Sequence, residues 1–180
     1  MKMIRRAFLL VALFACTLAN AALTPAQLTT LKAAILAETD PAFVALRQAG
    51  ATGAMADFYN TNHPTFVVWK SSVTIRETGQ AFNGAEWAGM TTANHTRLQT
   101  VAQYLTSYSP AVQGTRDMFN DIWSGAGGTN TRAALLALWK RLATRGERVF
   151  ATGTGSDAVP GLLVFEGRIT DSDVVQAINS

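Results

Sequence analysis

LLALWKRLATRGERVF, residues 135–150, sets Leu135, Leu138, Trp139, Leu142, Val149 and Phe150 at intervals that fit one face of a helix. The spacing predicts a long amphipathic helix ending near Phe150. Arg141, Arg145 and Arg148 recur beside that face at helical spacing, with Lys140 adjacent and Glu147 close by. Two readings fit this basic stripe. It is a solvated helix face, or it meets an acidic patch on a neighbouring subunit, since guanidinium forks match carboxylates.

Directly after it comes ATGTGSDAVPGLLVFEG, residues 151–167, with four glycines around one aspartate. A phosphate loop would need a Gly-Lys-Ser/Thr ending or a G-x-G-x-x-G run after a strand, and neither is present. The stretch reads as a turn instead: Gly153 and Gly155 supply positive φ after the helix, and Leu162 to Phe165 pack back on the core.

Near the other end of the chain, Thr24 and Gln27 spell a capping box with Pro25 in the first turn, predicting a helix from about Pro25 to Glu38 with Leu28, Leu31 and Ile35 on one face. Asp40-Pro41 starts a second helix that Gly50 stops. Met55, Phe58 and Tyr59 mark a third, ended by Asn60-Thr61-Asn62. PTFVVWKSSVTI, residues 64–75, is β-branched and aromatic but has no obvious strand partner, so its state stays open. Leu98, Val101, Ala102 and Leu105 form one later stripe, and Val112, Thr115, Phe119 and Ile122 form another. Thr170 caps a last short helix, with Asp171 and Asp173 in its first turn and Ile169 stapled to Val174. The expected fold is mainly α: a single compact domain of several short amphipathic helices with at most a small extended or hairpin element.

Residues 1–21 read differently. Lys2, Arg5 and Arg6 precede an apolar run and then Ala19-Asn20-Ala21, the order of a secretory signal peptide with cleavage expected after Ala21. Cys16, the only cysteine, loosely fits a lipoprotein box, although Phe14 is bulky for its place. The domain is therefore expected at residues 22–180. Without the three leader cations, 12 basic residues face 12 acidic ones, so the surplus of charge belongs to the leader and gives no argument for nucleic acid as a partner. The apolar run is too short to span a membrane, and no stable span is expected in the remaining chain.

Candidate chemistry is sparse. His63 and His95, with Asp57, lack metal-ligand spacing and have no cysteine partner. Glu77 and Glu86 are a conceivable carboxylate pair for glycoside cleavage, while no G-x-S-x-G elbow occurs. No catalytic residue, cofactor site or metal site is assigned. Trp123 and Trp139 fall on apolar helix faces and are expected in the core, leaving Trp69 and Trp87, with Arg141, Arg145 and Arg148, as a candidate interaction surface.

The stretches ALTPAQLTTLKAAI (22–35), PTFVVWKSSV (64–73) and KRLATRGERVFATGTGSDAVPGLLVFEGRITDSDVVQAIN (140–179) resemble a family of small tailed-phage and prophage proteins encoded among virion structural genes. The resemblance implies a virion or virion-assembly component without established catalytic residues, partnered by other virion proteins or copies of itself. Relatives in that family typically begin near LTPAQL, without a leader. Residues 1–21 are therefore either a genuine signal peptide or the product of a start codon placed too far upstream, and the protein is then either periplasmic or secreted, or cytoplasmic and in the virion. The expected function is thus a non-enzymatic virion protein of the host cytoplasm and particle. The alternatives are an exported envelope protein and, third, a cell-wall-cleaving enzyme.

Overall fold

The computed structural model describes residues 22–124 and 126–180; the expected leader and Cys16 lie outside them. The described chain is mainly helical, with strand content exceeding a single small element. It opens with α1 (Pro25–Ala37) and α2 (Pro41–Gln48), which start where the sequence places them, and α3 (Thr52–Tyr59), which carries the Met55, Phe58 and Tyr59 face. Thr24 and Gln27 close the expected capping box on α1, Asp40 caps α2, and Gly50 turns the chain at φ 65°. Such a cap is worth about 1 kcal/mol.

The open segment 64–75 resolves into β1 (Asn62–Trp69), β2 (Val73–Thr74) and the start of α4 (Ile75–Gln80). There follow α5 (Gly84–Ala88), α6 (Thr92–Tyr104), β3 (Ser107–Tyr108), α7 (Gln113–Ile122) and α8 (Thr129–Leu138). The long helix predicted to end near Phe150 is not there. Trp139 caps α8, Lys140–Thr144 is a strand, β4, and a fresh helix α9 (Arg145–Phe150) begins beyond it. The chain ends in α10 (Asp171–Asn179), where Thr170 and Asp173 form a second capping box.

The break has a physical cause. Thr144 accepts from the Glu147 N–H, and Glu147 reaches back to the Thr144 N–H, a helix start that residues inside a continuous helix could not make. β4 pairs antiparallel with β1, Val67 opposite Leu142, Val68 opposite Arg141 and Trp69 opposite Lys140, and β-branched partners in β1 override the weak strand preference of Lys-Arg-Leu-Ala-Thr. Between Asn62 and Val67 the register slips, leaving a bulge that holds Pro64, which has no ladder N–H to lose.

This pairing organises the molecule. Everything between β1 and β4 builds one hydrophobic cluster: Val73, Leu98, Tyr108, Phe119, Ile122, Trp123, Leu135 and Trp139. The segments before β1 and after β4 build another, with Leu31, Ile35, Phe43, Met55, Tyr59, Ile169 and Val174 at its centre. The second lobe is thus an insertion between two paired strands of the first. Trp123 and Trp139 are core residues, as their helix faces predict.

The glycine-rich stretch is a turn that wraps a side chain. Gly153 and Gly155 take φ of 93° and 66°, and Gly155 and Gly161 donate to or accept from Val67 on the free side of β1. A Cβ on Gly155 would fall 2.2 Å from the Phe66 ring, and one on Gly161 would fall 2.9 Å from it. Phe165 packs on Phe150 as expected, whereas Leu162 and Val164 face outward.

Candidate functional site

The three arginines of the predicted stripe part company. Arg141 lies on β4, not on a helix, and its guanidinium grips Glu147 through two 2.7 Å hydrogen bonds and Glu166 through a third at 3.0 Å. The Glu147 hydrogen bonds come first in holding its charge, and its pKa is raised. The acidic partner of Arg141 is therefore within the chain. Arg145 and Arg148, one turn apart on α9, turn to a different place.

That place is a cavity of about 400 Å³ between the end of α1, the end of α3, the β1 bulge and α9. Its polar lining is Glu38, Tyr59, His63, Arg145 and Arg148, and Ala34, Ala37 and Val149 complete the wall. Each residue arrives for a local reason. Glu38 is the C-cap of α1, where its carboxylate accepts from the Thr39 and Asp40 N–H groups. Tyr59 ends α3 with its ring against Phe43 and Phe58. His63 sits in the bulge, and its Nδ1 accepts from the N–H groups of Thr65 and Phe66, which the slipped register frees from the ladder. Gly146 lets α9 dock closely, since a Cβ there would lie 2.7 Å from Ile169 Cγ1.

Several donors at this cavity are unspent. Tyr59 is 2% exposed, and its hydroxyl has no hydrogen-bond partner among the described residues. Burial, then the Glu38 carboxylate, pushes its pKa up, so it stays a protonated donor. The buried Arg145 Nε is likewise unpartnered, and its guanidinium lies 4.3 Å above the Phe58 ring without an ion pair among the described residues. Arg47, also near Tyr59, is already spent on the carbonyls of Ile35 and Leu36. Arg148 Nη1 lies 2.8 Å from His63 Nε2. Burial, then Arg148 and Arg145, lowers the pKa of His63 and favours its neutral ring.

The other candidates serve the fold. Glu77 closes a capping box with Thr74 on α4. Glu86 accepts from the N–H groups of Asn130 and Thr131 at 2.8 and 2.7 Å, capping α8 from a distance. His95 packs edge-on against Trp87. Trp69 is half-buried beneath the Arg116 guanidinium, and Trp87 lies partly exposed, stacked on Phe82. The two tryptophans thus attach to the second lobe, while Arg145 and Arg148 belong to the first. Among the described residues no group of three or more His, Cys, Asp or Glu side chains is placed to hold a metal ion, and no helix is long and apolar enough to cross a membrane.

Sequence reasoning found Arg145 and Arg148 but missed Glu38, Tyr59 and His63 as their neighbours. A T-x-x-E pattern at Thr144-Glu147 marks the start of α9 and was the available signal. Set against protein-family models, curated proteins and solved structures, the chain matches none of them.

Proposed function

We propose that the protein is a non-enzymatic phage or prophage virion component that works by packing against copies of itself or other virion proteins, in the head–tail region or the tail. The observation that supports this reading is the exposure of apolar side chains on the two segments that pair with β1. The turn paired to one side of β1 exposes Val159 (58%), Leu162 and Val164 (67%), and β4 on the other side exposes Leu142. Apolar side chains left exposed on these segments suit burial against another protein. The carboxylates most suited to catalysis, Glu77 and Glu86, are engaged in helix caps. The family resemblance supplies the virion setting.

Mass spectrometry of purified virions tests the reading. The chain is expected in the particle, and Leu162→Asp with Val164→Asp should reduce its incorporation while the protein still folds. Virions without the chain overturn the proposal.

The leader favours a second reading, an exported envelope protein. Its test is the N-terminal peptide of the native protein in separated cellular fractions. A periplasmic chain beginning at Ala22 supports export, and a cytoplasmic chain beginning near Leu23 removes it.

A further inference from the structure

The geometry points to the cavity formed by Tyr59, His63, Arg145 and Arg148 as a binding site for a carboxylate group. The inference does not depend on the virion reading.

A neutral imidazole accepts at one nitrogen only. His63 Nδ1 receives the N–H groups of Thr65 and Phe66 at 3.3 and 3.1 Å, so Nε2 carries the proton. That Nε2–H then faces another donor, Arg148 Nη1, at 2.8 Å. Two donors set side by side form no hydrogen bond with each other, and an oxygen lying beside the pair can accept from both. Tyr59 and Arg145 also line the cavity, and behind its wall the Tyr59 hydroxyl and Arg145 Nε are sealed from solvent with no acceptor among the described residues. Orphaned buried donors are rare because each forfeits the hydrogen bonds it had in water. Two orphaned donors and two donors set against each other at one cavity are better explained by an acceptor that binds there than by separate lapses.

Charge selects the ligand class. Arg145 and Arg148 contribute two positive charges and Glu38 one negative, with His63 neutral and Tyr59 protonated. The surplus of one cation matches a monoanion. A carboxylate offers two oxygens in one plane, one for the Arg148 and His63 pair and one for Arg145, the fork geometry that guanidinium groups favour. Tyr59 then donates to the oxygen nearer Arg145. The small apolar side chains of Ala34, Ala37 and Val149 leave room for the carbon stem that carries the group. The stem belongs to a small organic acid or to an acidic side chain presented by a polypeptide, and both bring the same head group.

The test is an NMR titration of the protein, following arginine Nε–H and backbone signals. Sodium acetate and N-acetyl-glutamyl-methylamide are the probes, with sodium chloride at matched ionic strength and inorganic phosphate as controls. Saturable shifts at Arg145, Arg148 and the His63 bulge are expected with both carboxylates. Tighter binding of the glutamyl probe assigns the site to a polypeptide side chain, and equal or tighter binding of acetate assigns it to a small acid. Arg148→Gln, at an exposed position that leaves the core intact, should weaken binding by about tenfold or more, the loss of one charge-assisted pair. Tyr59→Phe should weaken it less. Shifts that chloride reproduces, phosphate binding more tightly than either carboxylate, or an Arg148→Gln protein that titrates like the parent would each overturn the assignment.

Discussion

The two lobes each bury a tyrosine, and they treat its hydroxyl in opposite ways. In the inserted lobe Tyr108, 8% exposed, accepts from Trp139 Nε1 at 2.9 Å and donates to Thr78 Oγ1 at 2.6 Å, which in turn donates to the Thr74 carbonyl. Donor follows acceptor from a core indole to a helix cap, and such chains strengthen their own members. In the first lobe Tyr59 is more deeply buried, yet its hydroxyl has no partner among the described residues. The inserted lobe thus spends this tyrosine on holding itself together, although Trp123 Nε1 in the same core has no partner among the described residues. The first lobe leaves several of its own at a cavity. For the two tyrosines the difference is whether the hydroxyl's hydrogen bonds are already made.

The strongest way to break this contrast is to remove its aromatic anchor. Trp139 is fully buried and shares the second core with Phe119 and Tyr108. Trp139→Ala should cost about 4 kcal/mol, by loss of buried ring and a residual cavity. Urea denaturation followed by circular dichroism reads it, and a cost under about 1 kcal/mol would mean that the inserted core is not packed as described. Next comes the bond across the corner where β4 meets α9. Glu147→Gln leaves Arg141 without its buried counter-charge and should cost about 2 kcal/mol, below the usual range for a broken buried pair because Arg141 keeps some solvent. If Glu147→Gln matches the parent in urea, the pair is not what sets the corner.

That corner also marks the limit of what the sequence discloses. Thr24-x-x-Gln27 and Thr170-x-x-Asp173 flank the apolar runs that they begin, so both helix starts are legible. Thr144-x-x-Glu147 carries the same signal, but it lies within a run whose apolar spacing also fits a helix, and the longer pattern masks the shorter one. Lys140–Thr144 becomes a strand only because Val67, Val68 and Trp69 arrive from far along the chain, and no local preference announces that. The cavity is hidden for the same reason. Arg145 and Arg148 stand out as cations, but His63 joins them through a bulge and Tyr59 from the end of α3, and no window of sequence reveals either.

Smaller effects sharpen the contrast within the hydroxyl network and in pH. Tyr108→Phe strands the Trp139 N–H and should cost about 1 kcal/mol, read as a fall in the urea midpoint. A result equal to the parent would dissolve the network. On acidification the lobes should respond in separate windows. His63 is held below its usual 6.5 by burial and by Arg148 and Arg145, so the unfolded chain takes up its proton first. Stability from this group is present above 6.5 and is lost as pH falls through the folded value. Glu77 is held below 4.5 by its hydrogen bonds to Thr74. For Glu86, desolvation opposes the charge, but the hydrogen bonds from Thr131 and Asn130 outweigh it. Their contribution is present above 4.5 and is lost only as pH falls further, so acid should reach the inserted lobe second. Melting temperatures across this range test the order, with His63→Gln expected to remove the upper step alone and Glu77→Gln to diminish the lower one. Stability that rises as pH falls through 6.5 would reverse the sign assigned to His63.

The smallest expected effect on stability is the most informative. Tyr59→Phe deletes a hydroxyl that makes no hydrogen bond among the described residues while keeping the ring against Phe43 and Phe58. A buried donor without a partner already carries its desolvation cost, so removing it should leave stability unchanged or raise it slightly, opposite in direction to Tyr108→Phe. The same change should weaken carboxylate binding at the cavity. A group that serves the fold loses stability when it is cut, whereas a group that serves a ligand loses only affinity. If urea denaturation shows Tyr59→Phe to be as costly as Tyr108→Phe, the hydroxyl of Tyr59 holds the first lobe together and the contrast between the two tyrosines disappears.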